Sequence, residues 1–280
     1  MTIRVRTDRL LLGFHGFALL RGWPHGDASE ADERMVAMRE LLSRSDDLVE
    51  VLDVDALDLS AAYEEWAETY DTIANGLIAT EEPVVRSLLA EIPPGRALDA
   101  AAGTGRYAAI LSELGHDVVA VDASAGMLGR MPSKGFRALG ALGDLHRLPI
   151  RDGSMDLAVC GLALTHVSDL TPAIAELARV VRPGGRVMLS DVHPVAVSMG
   201  AQAMFRRSDG SRAFAYNHIH WPSAYVEALT SAGLEIEHAA EPLVDRAFVD
   251  DLPDPDVRAG AQASLMGMPL ALIWLARKRT

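Results

Sequence analysis

The sequence predicts an α/β fold with a doubly wound sheet that is mostly parallel and has an antiparallel edge strand near the C-terminus. Three observations support this prediction. From Arg96 onward, apolar strand-like runs alternate with helix-compatible stretches, as in βαβ units. The first of these runs ends in an acid and turns through glycines into a helix. After Asp191 the alternation stops, and a helix is followed by two further strand candidates.

The strand candidates of the alternating part are short apolar runs. They are Arg96–Ala100, Asp117–Val121, Phe136–Leu142, Met155–Gly161 and Arg186–Asp191. Helical patterns between them are Tyr107–Leu114, Ala123–Met131 and Leu170–Val180. We therefore expect a parallel sheet with helices on both faces.

The C-terminal part predicts a helix at Pro222–Ala232, ended by Gly233. Strand candidates follow at Leu234–His238 and Leu270–Ala276. Paired as a hairpin, these two strands would make one edge of the sheet antiparallel.

Residues 1–60 carry no motif that we can place, and we treat them as an N-terminal extension. The apolar run Leu10–Leu20 is interrupted by His15 and lacks a small-residue cleavage site. It predicts a buried strand or an amphipathic segment rather than a leader. Glu30–Arg44 has helical spacing, whereas Asp46–Ser60 leaves strand and loop open. The extension could form a contact in a homo-oligomer or cover a site, and the sequence does not choose.

Net charge, the length of apolar runs and the cysteine count argue against several classes of function. The 280 residues carry a formal charge of −13, which argues against a large nucleic-acid surface. No apolar run is long enough to span a membrane. Cys160 is the single cysteine and lies in an apolar run, so we expect a buried thiol and a reducing, cytoplasmic setting.

The glycine turn after Arg96–Ala100 predicts a nucleotide site, because glycine lets a ligand approach main-chain N–H groups. Gly103, Gly105 and Ala108 fit the dinucleotide fingerprint, which is weak alone. Asp99 stands before the glycines. Its carboxylate would repel a pyrophosphate and attract a ligand that carries an ammonium group.

Two further acids follow strand candidates. Asp122 ends Asp117–Val121 and is placed to accept both ribose hydroxyls of either kind of nucleotide. Asp144 follows Phe136–Leu142, where it could accept from an adenine amino group while Leu145 covers the ring. Both acids also suit local capping: Asp122 for the next helix and Asp144 for its own turn.

Together these motifs resemble the class I S-adenosylmethionine (SAM)-dependent methyltransferases, and within them the small-molecule group related to the quinone-biosynthesis enzymes. The resemblance covers about residues 62–280, and the segments that carry it are Leu98–Arg106, Ala120–Ser124, Gly143–Pro149, Thr165–Val167 and Arg182–Gly185. It implies a Rossmann-like fold, SAM as cofactor and methyl transfer to a small molecule. Ala101 stands where the family usually has its first glycine.

The resemblance also implies which residues bind SAM. Those in and beside the glycine turn and on the second strand are Asp99, Ala101, Gly103, Thr104, Gly105, Arg106, Asp122, Ala123, Ser124 and Met127. Asp144 and Leu145 should frame the adenine. Residues 61–92 are largely helical and include a segment, Tyr63–Asp71, that resembles the family's N-terminal lid helix. Tyr70 is its candidate contact, although Tyr63, Trp66 and Tyr70 also have ordinary core spacing.

Three histidines near predicted strand ends are candidate general bases: His166, His193 and His220. The family position of His166 is often structural. His218 and His220 lack a specific metal-ligand spacing, and we expect no metal.

We assign residues 93–280 to the methyltransferase domain, with a substrate-pocket insert at about 195–221. Its apolar side chains predict a hydrophobic or aromatic acceptor, with C-, N- and O-methylation left open; they are Met199, Met204, Phe205, Phe214, Tyr216 and Trp221. Cys160–His166 lacks the Asn/Asp-Pro-Pro-aromatic signature of nucleobase and glutamine methylation. The alternatives are a non-catalytic binding subunit with the same fold and an NAD(P)-dependent oxidoreductase.

Overall fold

A computed structural model of the chain describes residues 1–26, 28–43, 51–72, 75–131, 135–136, 138–252 and 254–280. These residues form two compact units. The smaller unit comprises Met1–Asp55 and Leu243–Met268, and the larger comprises Ala56–Pro242 and Pro269–Thr280.

The larger unit is built around a seven-stranded sheet. Its strands are β3 (Arg96–Ala100), β4 (Asp117–Asp122), β5 (Leu139–Leu142), β6 (Met155–Gly161), β7 (Val181–Val192), β10 (Leu234–Ala240) and β11 (Ala271–Lys278). Their order across the sheet is β10-β11-β7-β6-β3-β4-β5. The five strands from β7 to β5 are parallel, and β11 and β10 are antiparallel to their neighbours. The predicted fold class is therefore confirmed.

Helices and buried apolar clusters lie on the sheet. The helices of this unit are α3 (Leu59–Trp66), α4 (Gly76–Ala90), α5 (Arg106–Glu113), α6 (Ala125–Arg130), α7 (Leu170–Val180), α8 (Pro194–Ser198) and α9 (Pro222–Ser231). Short 3₁₀ turns occupy Tyr70–Thr72 and Leu164–His166. One core cluster includes Leu98, Ile174 and Leu189, and a second includes Leu89, Ile110 and Leu157. Neighbouring residues of one strand enter different clusters, as Leu157 and Ala158 of β6 do, which is expected for a sheet covered on both faces.

Several predicted bounds are shifted by identifiable contacts. The helix expected from Ala123 begins at Ala125, because the Ser124 side chain accepts from the Met127 N–H and caps α6. The strand expected from Arg186 begins at Val181, because Val181 already pairs with Met155. The strand expected from Phe136 begins at Leu139, and residue 137 lies outside the described residues.

The insert at about 195–221 begins with α8 and contains a hairpin. The hairpin is formed by β8 (Ala203–Arg206) and β9 (Arg212–Ala215), which are paired antiparallel from Ala203 opposite Ala215 to Arg206 opposite Arg212. The Trp66 ring of α3 stacks on Phe205 of β8 with centroids 5.0 Å apart. The insert is thereby packed against α3.

The smaller unit consists of strands β1 (Thr2–Arg6) and β2 (Val51–Ala56, whose last residue lies in the larger unit) and four helices. Its helices are α1 (Thr7–Gly22), α2 (Ala28–Ser43), α10 (Arg246–Asp250) and α11 (Pro255–Ser264). β1 and β2 pair antiparallel. The strand considered for Leu10–Leu20 is wrong, because the run lies in α1, where Leu11 is the buried residue. Arg44 and residues 46–50 lie outside the described residues.

The grouping of Leu243–Met268 with the N-terminal segment differs from our assignment of that stretch to the domain of residues 93–280. Its physical basis is packing between α11 and α1. A Cβ added at Gly260 would lie 2.9 Å from Cδ2 of Phe14, so glycine is what allows these helices to approach. In addition, the Arg21 guanidinium donates to the carbonyls of Ser264 and Met266. None of the described helices has the length and apolarity of a membrane span.

Candidate active site

The carboxyl ends of the parallel strands carry the polar side chains that the sequence singles out. We call the ends of β3 and β4, with Asp99, the 101–105 turn and Asp122, the glycine corner. We call the segments after β6 and β7, with His166, Asp191 and His193, the histidine corner. In an open α/β sheet, this edge is where ligands bind.

Asp99 is buried at the end of β3, with 1% of its surface exposed. Its Oδ2 accepts from the Ala108 N–H at 2.7 Å, while Oδ1 has no hydrogen-bond partner among the described residues. Burial raises the pKa of this carboxyl to about 7. The site thus holds a buried carboxylate oxygen with an unused capacity to accept.

The turn after β3 is left-handed at three positions. Gly103 has φ +54° and open space where a Cβ would stand, whereas a Cβ at Gly105 would meet the Met131 and Phe136 side chains. Ala101 has φ +55°, a conformation that favours glycine. Alanine therefore takes a left-handed conformation at the position where the sequence resemblance would place a glycine. Thr104 is buried, and its hydroxyl is hydrogen-bonded to Asp71 at 2.9 Å.

Asp122, the last residue of β4, links this turn to that strand through hydrogen bonds. Its Oδ2 accepts from the Gly103 N–H at 2.7 Å, and its Oδ1 accepts from the Ser124 N–H at 2.8 Å. Burial raises its pKa, and these hydrogen bonds oppose that shift. The carboxylate has further lone pairs for a ligand hydroxyl. Ser124 and the buried Met127 follow directly, and Ala123 joins Asp122 to them.

Two acids of the 59–72 segment reach the glycine corner, and our sequence reasoning missed both. The Glu64 carboxylate accepts from the Ser124 hydroxyl at 2.7 Å and from the Gly126 N–H at 3.1 Å. A Cβ at Gly126 would lie 2.7 Å from Glu64, so glycine makes this contact possible. Asp71 holds Thr104. The acids of Tyr63–Asp71 were visible in the sequence, but their partners lie in distant segments.

Aromatic rings line the same segment. Trp66 contacts Tyr63 and Tyr70 with centroid distances of 5.5 and 4.9 Å. Burial raises the pKa of Tyr70, whose hydroxyl feels the charges of Arg106 and Asp122. Tyr70 therefore lies beside the glycine corner as well as in an aromatic cluster, and its contact with SAM stays a prediction.

Asp144 follows β5 but is largely exposed, and its Oδ1 contacts both the His146 N–H and the His146 ring at 2.8 Å. It caps its own turn, which was the alternative considered for it. Leu145 packs partly on the core, and the Gly143 N–H donates to the Asp122 carbonyl. The turn is thus attached to the glycine corner, and contact of Asp144 and Leu145 with adenine stays a prediction.

A buried polar network lies between the two corners. Glu81 of α4 is fully buried and is hydrogen-bonded to the hydroxyls of Tyr107 and Ser190. Arg106 lies 3.1 Å from Glu81 and its guanidinium stacks on the Tyr107 ring at 4.0 Å. Helical spacing could have revealed Glu81, because it shares one face of α4 with buried Val85 and Leu89.

His166 is held through both ring nitrogens. Its Nδ1 lies 3.0 Å from the Tyr216 carbonyl, and its Nε2 lies 2.7 Å from the Tyr63 hydroxyl. Since a carbonyl only accepts, Nδ1 carries the proton of the neutral ring and Nε2 accepts from Tyr63. Burial lowers the pKa of His166. The role of Tyr63 was not visible in the sequence, because its partner is far along the chain.

The other candidate bases also have structural contacts. His193 is buried and caps α8, with Nδ1 accepting from the Val195 N–H at 3.2 Å, and its Nε2 lies 3.5 Å from Glu241. Burial lowers the pKa of His193. His220 donates through Nε2 to the Val167 carbonyl at 2.7 Å. A catalytic role for these histidines stays a prediction, and the described residues contain no group of three or more potential metal ligands.

Asp191 is a third buried carboxyl, after Asp99 and Glu81, and lies at the end of β7. It accepts from the Tyr225 hydroxyl at 3.0 Å and from the Val192 N–H at 2.9 Å. Burial raises its pKa to about 7. We did not consider it as a site residue other than in connection with a metal. Its position at a strand end, next to His193, was a usable signal.

The apolar side chains predicted to form an acceptor pocket divide into two groups. Phe205 and Phe214 are buried, whereas the other four are about half exposed: Met199, Met204, Tyr216 and Trp221. Phe214 and Tyr216 form an edge-to-face pair with centroids 4.9 Å apart. Tyr216 also holds His166 through its carbonyl, which connects the insert to the histidine corner.

Comparison with known proteins agrees with this geometry. Residues 98–189 match the family described as "Methyltransferase domain". The chain is 35% identical over 148 residues to the demethylmenaquinone methyltransferase of Beutenbergia cavernae, covering 50% of this chain and 60% of that protein. It is 35% identical over 162 residues to the malonyl-[acyl-carrier protein] O-methyltransferase of Yersinia pestis, covering 58% and 60%. The match therefore spans about three-fifths of each relative.

A solved structure supports the fold. The S-adenosylmethionine-dependent methyltransferase from Mesorhizobium loti matches 73% of this chain and 100% of its own, with a TM-score of 0.57 and 23% identity. The sheet order, the glycine corner and these matches lead to one conclusion: residues 98–189 belong to a methyltransferase domain, and the larger unit has the Rossmann-like fold of SAM-dependent methyltransferases.

Proposed function

We propose that the protein transfers a methyl group from SAM to a small, hydrophobic or aromatic acceptor. The observation that carries the proposal is the buried Asp99 carboxylate, whose Oδ1 has no partner among the described residues at the mouth of the glycine turn. A buried anionic oxygen without a donor is costly, so a ligand that brings a cationic donor is favoured. The ammonium of an amino-acid-bearing nucleoside is such a donor, and a diphosphate is not.

The rest of the glycine corner fits the same ligand. Asp122 has accepting capacity left for ribose hydroxyls, and Gly103 leaves open space beside the backbone. SAM would be held by the residues of the glycine turn and by Asp122. The other residues that would contact it are Ala123, Ser124, Met127, Asp144, Leu145 and Tyr70. Bound SAM supplies an electrophilic methyl group. Protein groups contribute alignment and exclusion of water, and alignment is worth about 7–11 kcal/mol in well-oriented systems.

The acceptor class is inferred from the insert and from charge. The insert offers exposed apolar and aromatic side chains beside His166, and the net charge of −13 disfavours polyanionic acceptors. Among the relatives, one is named as a demethylmenaquinone methyltransferase and another as a malonyl-[acyl-carrier protein] O-methyltransferase. We therefore place quinols, phenols and short acyl carboxylates first among candidate acceptors.

A product screen tests the proposal. Purified protein is incubated with methyl-labelled SAM and a panel of quinols, phenols, amines and carboxylates, and products are identified by mass spectrometry. We expect a product with one added methyl group and one equivalent of S-adenosylhomocysteine. Tight binding of SAM with no product from any class would instead favour the non-catalytic binding subunit. Binding of NAD rather than SAM would favour the oxidoreductase.

A further inference from the structure

We propose that Tyr63 and His166 form a proton relay, with Tyr63 contacting the methyl acceptor and His166 receiving the proton. This inference rests on the proposed function. The two side chains come from segments 103 residues apart and meet at 2.7 Å between the Tyr63 hydroxyl and the His166 Nε2. Their rings form an edge-to-face contact with centroids 5.4 Å apart, which fixes their relative orientation.

The direction of proton movement follows from the third group in this hydrogen-bonded chain, the Tyr216 carbonyl. The Tyr216 carbonyl, 3.0 Å from Nδ1, can only accept, so Nδ1 keeps its proton whether the ring is neutral or charged. The single basic position of the neutral ring is then Nε2, which faces the Tyr63 hydroxyl. A carbonyl that accepts from Nδ1 also stabilises the imidazolium, as an orienting acceptor does in other histidine-based sites.

The place of Tyr63 suits contact with an acceptor. Tyr63 and His166 are both residues of intermediate exposure, and Asp122 and Asp191 are among the groups whose charges act on the Tyr63 phenol. Asp122 belongs to the glycine corner and Asp191 to the histidine corner. The hydroxyl of Tyr63 therefore lies within electrostatic range of both corners, whereas the two nitrogens of His166 are covered by protein groups. The phenol, rather than the imidazole, is the group of this pair available to an acceptor.

The proton of an acceptor O–H or N–H passes to the Tyr63 oxygen while the phenol's own proton passes to Nε2 of His166. The acceptor's electron pair forms the new bond to the methyl carbon, and the pair of the broken carbon–sulfur bond stays on sulfur, leaving a neutral thioether. The ring ends as an imidazolium that donates to Tyr63 and to the Tyr216 carbonyl, and it later returns its proton to water.

The surroundings of the pair keep both side chains neutral before the reaction. His218 is the titratable group of the insert that acts on His166, and it disfavours the charged ring. Burial also lowers the pKa of His166, and burial raises that of Tyr63 well above its usual value. The resting pair is therefore a neutral phenol and a neutral imidazole. General-base assistance of this kind is typically worth about 10²–10⁴-fold in rate.

The test uses the full chain and the variants Tyr63→Phe and His166→Gln. Glu65→Gln, which changes an exposed α3 acid paired with Arg207, is the matched control. SAM affinity is measured by calorimetry, and single-turnover methyl transfer is followed with a series of ring-substituted phenols. We expect each relay variant to lower the rate about 100-fold, the double variant to be no slower than either, and SAM affinity to stay within twofold. The loss should shrink for more acidic phenols, which need less help in ionising.

A second measurement does not depend on turnover. 4-Nitrophenol, whose anion absorbs visible light, is added with S-adenosylhomocysteine. The relay predicts an increase of the anion band with wild type and with Glu65→Gln but not with Tyr63→Phe. The proposal is overturned if wild type shows no increase, or if the variants keep wild-type rates and lose only SAM affinity, as a simple latch would. Failure of the proposed function is distinct, because no SAM would then bind to wild type or no acceptor would be methylated.

Discussion

The glycine corner and the histidine corner lie at the same edge of one sheet but are built in different ways. In the glycine corner the two strand-end acids have partners nearby in the chain: Asp99 accepts from Ala108, and Asp122 accepts from Gly103 and Ser124. Glu64 and Asp71 add contacts from the 59–72 segment. In the histidine corner, His166 is held by Tyr63 and Tyr216, which lie 103 and 50 residues away. The strand-end acids of the glycine corner are therefore held mainly within one motif region, whereas His166 is held entirely by the packing of distant segments.

The difference has a physical reason. Residues that bind a common cofactor can be fixed by a strand end, a tight turn and a helix start, because those elements place backbone N–H groups themselves. A pocket for a particular acceptor needs side chains at positions that no single turn supplies. Loops and inserts provide them. The glycine corner also retains an unsatisfied buried oxygen, whereas His166 has a partner at each ring nitrogen.

The largest expected effect concerns the ionisation of the buried Asp99 carboxyl in the glycine corner. Burial raises the pKa of Asp99 from a usual value near 3.8 to about 7, so the native state holds this proton more tightly than the unfolded state. The contribution to stability is therefore full below pH 4 and is lost as the pH rises to about 7. The free energy of unfolding lost in this way is at most on the order of 4 kcal/mol.

Asp99→Asn removes the titration while keeping the shape. Denaturant unfolding of wild type and variant from pH 4 to pH 8 should show the variant gaining stability relative to wild type across that range. The same variant should bind SAM more weakly, which separates the functional defect from misfolding. A difference in unfolding free energy that does not change with pH would contradict a buried, strained carboxylate at this position.

The second prediction concerns the contact between the corners. A Cβ at Gly161 of β6 would lie 1.9 Å from the Tyr107 ring of α5, and Tyr107 contacts Ser190 of the histidine corner. Gly161→Ala should therefore lower the free energy of unfolding by at least about 3 kcal/mol, because the core cannot accept the methyl group without moving the ring.

The control for this prediction is the same change in a Tyr107→Ala background. There the added methyl group has space, and Gly161→Ala should cost less than about 1 kcal/mol. Equal costs in the two backgrounds would show that the ring is not what limits this position. Thermal or urea unfolding monitored by circular dichroism is sufficient for both measurements.

The smallest effect is expected at Ala101. Its φ of +55° costs an alanine about 1–2 kcal/mol, and glycine loses about 0.5–1 kcal/mol more backbone entropy on folding. Ala101→Gly should therefore stabilise the protein by about 0.5 kcal/mol and leave SAM affinity unchanged. The neighbouring Ala102 does not have a positive φ, so Ala102→Gly should destabilise it instead. The same sign at both positions would refute this account of the turn.

The two corners also differ in how much of their structure could be predicted from the sequence. The bounds of β3 and β6 match, because a parallel strand buried on both faces is a short apolar run with clear ends. The positions of Asp99 and Asp122 at the ends of β3 and β4 were predictable, because they are acids in the last residues of such runs; their role in binding stays a prediction. Tyr63, Glu64 and Glu81 were missed because their partners lie 26 to 109 residues away in the chain, and spacing along a sequence carries no record of such pairs.

The placement of Leu243–Met268 was missed for a related reason. Its helices continue the helix-and-strand pattern of the C-terminal part, and only the approach of Gly260 to Phe14 shows where they pack. The helix at Leu10–Leu20 was open to misreading because an apolar run of that length suits either a strand or a helix.

The most direct test of the central claim is calorimetric titration of SAM and of NAD into wild type, Asp99→Asn and Asp122→Ala. Hydrogen bonds to a charged acceptor are worth about 1.5–3 kcal/mol each, so loss of the Asp122 carboxylate should weaken SAM binding about 100-fold. We expect wild type to bind SAM and not NAD, with weaker binding in both variants. Equal binding of NAD by wild type, or unchanged SAM affinity in both variants, would contradict the account.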